Sequence, residues 1–241
     1  MTKAPDTGHS RNVANFVKLI SVIANLGTDY NPSRSSLALS SLNILIQNAQ
    51  NTIGDYYDAK SAYTLKVAER KEAFTTLRSL TTRLIAALKA SGITNEQLEG
   101  AKSLKRRLHS RAPKDAVPVE AGKPEPRTIT SHRHSFDQQL QTFHQLISYV
   151  EALPEYSPQE TDLKLTGLQS RYELLLNLNQ QVDASTALLD QKRILRNQTL
   201  YTSENALVPI ANNVRDYIVS VFGKSSPQYK HVQRIVFVNF A

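Results

Sequence analysis

The sequence has 241 residues, of which 40% are hydrophobic, enough to form a core and more than a disordered chain carries. Cysteine and tryptophan are absent and only eight residues are glycine. This excludes a disulfide framework and a cysteine nucleophile, and it disfavours a β-rich fold with many tight turns. The formal net charge is +8, but residues 102–134 contain nine Lys or Arg and three acids, so +6 of this charge is local.

Residues 1–11 are polar and carry no apolar stretch of the kind found in a signal peptide. Nowhere do about 18 apolar residues follow one another, as a membrane-spanning helix requires. We therefore expect a cytoplasmic protein without a membrane span.

Two stretches of the chain repeat the same order of residues. Phe16-Val-Lys-Leu-Ile-Ser recurs as Phe143-His-Gln-Leu-Ile-Ser, and Tyr30-Asn-Pro recurs as Tyr156-Ser-Pro. Beyond these points, apolar and basic positions align at an offset of 126. Because order and spacing agree, we interpret the chain as two copies of one helical unit.

The fold class predicted from this repeat is all-α. Each copy is expected to form a short helix, a long helix and one or two following helices, and the whole to form a helical bundle. The predicted domains are a first repeat at residues 12–107, a Pro-rich basic linker at 108–133 and a second repeat at 134–241.

The elements are predicted in chain order from apolar spacing and caps. The first helix of each copy is expected at about residues 12–26 and 134–152. A second helix is expected to start at Asn31-Pro32 and at Ser157-Pro158, where a capping residue precedes a proline suited to the first turn.

Apolar positions then recur every seven residues in both copies. They are Leu42, Ala49, Tyr56, Tyr63 and Arg70 in the first copy, and Leu168, Leu175, Val182, Leu189 and Arg196 in the second. Spacing of this kind predicts long helices with coiled-coil-like seams.

The ends of the long helices are predicted from proline and glycine. Pro209 predicts a break within residues 202–208, and the alignment transfers a break or bend to residues 77–82. The alternative is a hairpin turn near residues 54–55 and 183–184, which would give shorter antiparallel helices.

The later helices of each copy are expected to end at a glycine, Gly92 or Gly223. A short helix should then begin at Thr94 or Asn95 in the first copy, and at Ser226-Pro227 in the second.

Residues 110–131 hold four of the ten prolines and predict an extended, mobile linker. The last apolar segment, residues 235–240, predicts either a short strand or an extended tail. It is expected to pack on its own bundle; the alternative is an edge that faces a partner.

The sequence offers little catalytic chemistry. His132 and His134 are the only close histidines, and no His-x-x-x-His or Glu-x-x-His pair occurs. Nucleophile-elbow and phosphate-loop motifs are also missing. We therefore expect a non-enzymatic protein without a metal or cofactor.

One pair of basic residues lies at the same position in both copies. Lys66 and Arg70 are four apart on one helix face, and Lys192 and Arg196 repeat them. The arginines occupy seam positions, where a charge needs a carboxylate or carbonyl partner. We interpret the four residues as structural ion-pair candidates; the alternative is that they hold an anion.

A second candidate is the basic segment formed by Lys102, Lys105, Arg106, Arg107 and Arg111. Positive charge at a helix C-terminus complements the helix dipole, which is the structural interpretation. The functional alternative is binding of nucleic-acid phosphates, although no aromatic residue is interleaved for base stacking.

The strings Arg196-Asn-Gln-Thr-Leu-Tyr, Tyr217-Ile-Val-Ser-Val-Phe-Gly and Ser226-Pro-Gln-Tyr resemble a pattern found in a family of bacterial helical proteins. That pattern is Arg-Asn-x-x-Leu-Tyr followed by Tyr-Val-x-Ser-x-Phe-Gly-x-x-Ser-Pro-x-Tyr. The glycine that follows the family's first tyrosine is missing here, where Asn205-Ala206 stand. The resemblance implies a helical fold and a bacterial source, and no activity.

The sequence-based hypothesis for function is a scaffold or protein–protein interaction protein that binds a protein partner or a second copy of itself. The alternative is anion or nucleic-acid binding through residues 102–111 and the linker.

Overall fold

The computed structural model describes residues 6–109 and 135–240, and the regular elements in these ranges are helical. The helices are α1 Asp6–Ala24, α2 Leu39–Ala90, α3 Asn95–Leu108, α4 Phe136–Glu151, α5 Leu165–Asn197, α6 Leu207–Phe222 and α7 Pro227–Gln233. A π-helical turn, Gln198–Thr202, continues α5, and a 3₁₀ turn, Ser35–Leu37, precedes α2. The predicted all-α class is confirmed. The predicted linker lies almost wholly outside the described residues.

The described residues form two compact units. Unit 1 contains residues 6–63 and 185–240, and unit 2 contains residues 64–109 and 135–184. The division between the units falls within the long helices α2 and α5. The two predicted repeats remain a prediction, since each compact unit combines residues from both of them.

Each unit has its own apolar core. In unit 1, Phe16 and Leu19 of α1 are fully buried in one cluster with Val214 and Ile218 of α6. In unit 2, Leu84 and Leu88 of α2 are buried with residues of α4, α3 and the first half of α5. The seven-residue stripes contribute to both cores: Leu42 and Ala49 lie in that of unit 1, and Leu168 and Leu175 in that of unit 2. Val182 is also buried, and Tyr56 and Leu189 are buried in a separate small cluster.

Helix α2 is continuous over 52 residues. A break at residues 77–82 is therefore wrong, and so is the alternative hairpin at residues 54–55, whereas a bend at 77–82 remains a prediction. The break was transferred from the second copy, which has Pro209, but the first copy has no proline there. Thr81 and Thr82 instead donate to carbonyls one turn back in the same helix.

Helix α5 likewise passes residues 183–184 without a turn. Its predicted break within residues 202–208 is confirmed, because the π-helical turn ends at Thr202 and residues 203–206 are not helical. Pro209 then lies in the first turn of α6, where a missing N–H leaves no helix hydrogen bond unmade.

The predicted helix starts at Asn31-Pro32 and Ser157-Pro158 are wrong, since α2 begins at Leu39 and α5 at Leu165. A buried tyrosine holds the intervening residues in a turn instead. The Tyr30 hydroxyl donates to the Leu37 carbonyl at 2.7 Å, and the Tyr156 hydroxyl donates to the Leu163 carbonyl at 2.6 Å. The same contact thus occurs at equivalent positions of both predicted copies.

Glycine and capping signals gave correct boundaries. Gly92 and Gly223 follow helix ends with φ of 82° and 80°, a conformation that favours glycine. Thr94 caps α3 and Ser226 caps α7, each accepting a hydrogen bond from the backbone N–H three residues on.

The C-terminal residues 235–240 form an extended tail that packs on unit 1. Ile235 is buried, and Phe237 and Phe240 are partly buried against the core, whereas Val236 and Val238 are exposed. Asn12 and Asn15 of α1 donate to the carbonyls of Val238 and Val236, each at 2.7 Å. Side-chain amides therefore take the place of a neighbouring strand.

None of the described helices combines the length and the apolar composition needed to cross a membrane.

Candidate anion-binding groove

Helix α3 carries the basic segment predicted from the sequence, and its start is tightly defined. The Thr94 side chain accepts from the Gln97 N–H at 3.2 Å, and the Gln97 side chain accepts from the Thr94 N–H at 2.8 Å. The buried residues Leu98, Ala101 and Leu108 share one face, and α3 packs against α4. The basic face of α3, formed by Lys102, Lys105 and Arg106 beside these buried residues, is consequently held at a fixed rotation.

Helix α4 also fixes the position of α3 through a polar contact. The Tyr149 hydroxyl donates to the Gln97 carbonyl at 2.9 Å. The tyrosine ring passes directly over Gly100, where a side chain would collide with it. The glycine in the middle of α3 is therefore explained by close packing.

The basic face of α3 and one face of α2 enclose a groove of about 700 Å³ within unit 2. Its lining residues are Arg78, Thr82 and Ile85 of α2, and Glu99, Lys102, Lys105, Arg106 and His109 at α3. Four cations and one carboxylate give the lining a net charge of +3 when His109 is neutral. No ring of Phe, Tyr or Trp belongs to this lining, so the groove offers charge without a stacking surface.

The only carboxylate of the lining is already paired with two of its cations. Glu99 lies 2.9 Å from the Lys102 ammonium and 3.7 Å from the Arg106 guanidinium. Within the described residues, neither Arg78 nor Lys105 forms a salt bridge. These two cations therefore face the groove from different helices without a carboxylate to neutralise them.

His109 ends α3 at the base of the basic face. Its Nε2 lies 2.7 Å from the Thr81 hydroxyl oxygen. The Thr81 hydroxyl oxygen also lies 3.0 Å from the Leu77 carbonyl of its own helix, so Thr81 links the end of α3 to α2. The tautomer of His109 decides which of the two side chains donates in this contact.

Burial lowers the pKa of His109 below its ordinary value of 6.5, and the positive charges of Arg78 and Lys105 lower it further. An anion that entered the groove would oppose the effect of those charges. His109 therefore takes up its proton at a lower pH than an ordinary histidine, and an anion in the groove would raise its pKa again.

Of the residues predicted as a basic patch, Lys102, Lys105 and Arg106 meet in this groove. Arg107 is exposed and does not line it, and Arg111 lies outside the described residues. Sequence reasoning missed Arg78, because no other basic residue lies within four positions of it in the sequence. It also treated His109 as one isolated histidine.

The repeated Lys/Arg pairs lie in different units and have different partners. Lys66 pairs with Glu69 within α2 at 2.8 Å, whereas Lys192 of α5 pairs with Asp55 of α2 at 2.7 Å. Lys192 thus takes part in a structural ion pair between helices. A role for these residues in anion binding remains a prediction.

The two seam arginines lie over aromatic rings. The Arg70 guanidinium is 4.3 Å from the Phe136 ring centroid, and the Arg196 guanidinium is 4.5 Å from that of Tyr56. Arg196 is buried and also donates to the side-chain carbonyl of Asn197 at 3.2 and 3.0 Å. Within the described residues neither arginine has a carboxylate partner, so an aromatic face takes the place of the expected acid.

In the described part of the chain, no three His, Asp or Glu side chains come together in a way that could hold a metal ion. His132 and His134 lie outside that part. In comparisons with known proteins, the chain matches no family model, no curated protein and no solved structure. The resemblance to a bacterial helical family therefore remains a prediction.

Proposed function

We propose that this chain is a non-enzymatic binding protein that holds a phosphate-bearing anion in the groove between α2 and α3. The observation that carries the proposal is the position of Arg78 and Lys105. They face one groove from two helices, and no carboxylate of the described residues pairs with them. The backbone positions of both cations are fixed by helices α2 and α3, so only their side chains have to be ordered when an anion binds.

The lining favours recognition of phosphate over recognition of bases. It combines arginines, which can bind two phosphate oxygens at once, with lysines. Stacking platforms that would hold bases are missing from it. The proposal therefore predicts binding that is insensitive to base sequence and weakens steeply with salt.

The test uses a fluorescein-labelled single-stranded DNA as the probe, titrated at several salt concentrations. A double variant, Arg78→Gln with Lys105→Gln, removes the two unpaired cations. The matched control, Lys71→Gln with Lys89→Gln, removes the same charge from exposed positions of α2 outside the groove. The slope of log K against log salt is negative, and we expect its magnitude to decrease by about 1.4 in the groove variant.

The control variant should keep both affinity and slope close to those of the natural sequence, and inorganic pyrophosphate should compete with the DNA. If the groove and control variants lose the same affinity, the binding reflects net charge alone and the proposal is wrong.

The scaffold or protein–protein interaction hypothesis is a second candidate, and exposed apolar side chains favour it. Ile44, Leu65 and Ile194 are 64%, 64% and 60% exposed. Static light scattering over a concentration series tests self-association, which would appear as a rising mass. A cytoplasmic location and a bacterial source remain predictions from the sequence.

A further inference from the structure

Each compact unit is built from two distant parts of the chain. Here the N-terminal half denotes residues 6–109 and the C-terminal half residues 135–240. In unit 1, α1 and the first part of α2 come from the N-terminal half, while α6 and α7 come from the C-terminal half. In unit 2, the end of α2 and α3 come from the N-terminal half, while α4 and the first part of α5 come from the C-terminal half.

The contacts between the two halves are apolar and extensive. Phe16 of α1 shares a buried cluster with Ile218 of α6 in unit 1. Leu88 of α2 shares another with Leu146 of α4 in unit 2. All four side chains have no exposed surface, so separating the halves would uncover both cores at once.

Polar contacts between the halves add specificity in both units. In unit 1, Lys192 pairs with Asp55, and the Asn12 side chain donates to Val238. In unit 2, Arg83 makes two hydrogen bonds to the carboxylate of Asp162, and the Tyr149 hydroxyl donates to Gln97. The described residues of the two halves therefore carry matching surfaces in both units.

We infer that a second copy of this chain is a partner through exchange of halves. The N-terminal half of one copy packs on the C-terminal half of the other, and reciprocally, so that every unit keeps the contacts described above. Such an exchange changes only which chain supplies each half. The tethered arrangement is favoured when the chain is dilute, and the exchanged dimer when chains fold together at high concentration.

The first experiment asks whether the halves hold together without their covalent connection. A specific protease recognition sequence is inserted after Gly122 in the full chain, and the folded protein is cleaved there. We expect both fragments to elute together at the volume of the uncleaved chain, with the same helix content by circular dichroism. Fragments that separate in native buffer would overturn the inference.

The second experiment detects exchange directly, using the absence of cysteine from the sequence. One copy carries Asp55→Cys and the other carries Lys192→Cys, at the positions that form the ion pair between the halves in unit 1. The copies are unfolded in urea, refolded together at high concentration and treated with a short bismaleimide cross-linker. We expect a cross-linked species of twice the chain mass.

Two controls make the result decisive. A single chain that carries both substitutions should cross-link internally, which adds the mass of one cross-linker without doubling the chain mass. Folded monomers of the two single variants, mixed without unfolding, give the background from random collisions. If the internal cross-link forms while co-refolded copies stay at background, exchange does not occur.

Discussion

The side-chain amide of Asn12 makes two hydrogen bonds to the backbone of one residue, Val238. It donates to the carbonyl at 2.7 Å and accepts from the N–H at 3.1 Å. These are the two bonds that an antiparallel neighbour would exchange with a strand residue. One side chain of α1 thus anchors the end of the chain.

Replacing Asn12 with Ala should release the tail, because the Val238 backbone groups lose their partner. We expect amide exchange at Val238 to rise at least about tenfold and the free energy of unfolding to fall by about 1–3 kcal/mol. Hydrogen exchange with mass spectrometry and urea titration measure both. Ser21→Ala, which removes an exposed hydroxyl of α1 bonded only to its own helix, is the matched control. Unchanged exchange at Val238 would contradict this account of the tail.

Two glycines in helices should respond to alanine with opposite signs. A Cβ at Gly100 would lie 2.8 Å from Tyr149 Cζ, whereas a Cβ at Gly54 would meet nothing within 4 Å. Gly100→Ala should therefore destabilise by about 1–3 kcal/mol through overpacking. Gly54→Ala should stabilise by about 0.5–1 kcal/mol, because alanine has the higher helix propensity. Urea midpoints that move in the same direction would show that the packing of α3 on α4 is misjudged.

Tyr156→Phe should remove about 1 kcal/mol of stability, since the Leu163 carbonyl loses its hydroxyl donor. Burial raises the pKa of Tyr156 to about 12 from an ordinary value of 10.0, with smaller contributions from Glu160 and Asp162. The unfolded chain therefore releases this proton at lower pH, and stability should fall as pH rises from 10.0 towards about 12. Chemical unfolding across this range should show a shallower decline for Tyr156→Phe than for the natural sequence.

Arg196→Met should reduce the free energy of unfolding only slightly, because the guanidinium packs on Tyr56 and no acid would be left unpaired. Methionine keeps most of the apolar packing, so we expect a loss of about 0.5–2 kcal/mol from the cation–π contact. Lys192→Met, one turn earlier on the same helix, is the comparison; it breaks the ion pair with Asp55. A loss above about 3 kcal/mol at Arg196 would indicate a buried acid that the arginine neutralises.

Anion binding should strengthen at low pH through His109, if the groove binds anions as proposed. The pKa of His109 in the folded protein is lowered, so this side chain takes up its proton at a lower pH than an ordinary histidine, whose pKa is 6.5. An anion in the groove favours that proton, and affinity for single-stranded DNA should therefore rise as pH falls below 6.5.

The control for this pH effect is His109→Gln, which keeps a donor for Thr81 but cannot titrate. This variant should retain the salt dependence and lose the pH dependence. Lower pH should have the opposite effect on stability when no anion is bound. The free energy of unfolding of the natural protein should decrease as pH falls below 6.5, and that of His109→Gln should decrease less. Identical pH profiles for the two proteins would show that titration of His109 does not affect anion binding in the groove.

Local signals in the sequence predicted local structure well. Glycine at Gly92 and Gly223, caps at Thr94 and Ser226, and the seven-residue stripes all gave correct elements. The helix starts failed at Ser157-Pro158, because a capping residue before a proline also suits a turn. There the tyrosine contact described above decides the conformation, and that contact depends on burial that local sequence does not report.

The sequence predicted only part of the groove, because some of its residues come together through local helix geometry and others through tertiary packing. Lys102, Lys105 and Arg106 are close in sequence and share a helix face, so their meeting follows from helix geometry. Arg78 reaches the same groove only through the packing of α2 beside α3. The packing of α1 on α6 could not be predicted from the sequence either. The apolar face of α1 would fit a helix of the first copy as well as a helix of the second.

The division of each core between both halves also sets the order in which the chain can fold during synthesis. Unit 1 contains both α1 and α7, so its core cannot be completed until α7 has been synthesised. Unit 2 is complete once Ala184 has left the ribosome, although its residues start later. At roughly 5–20 residues per second, α1 and its apolar face stay without their partner helices for on the order of ten seconds or more.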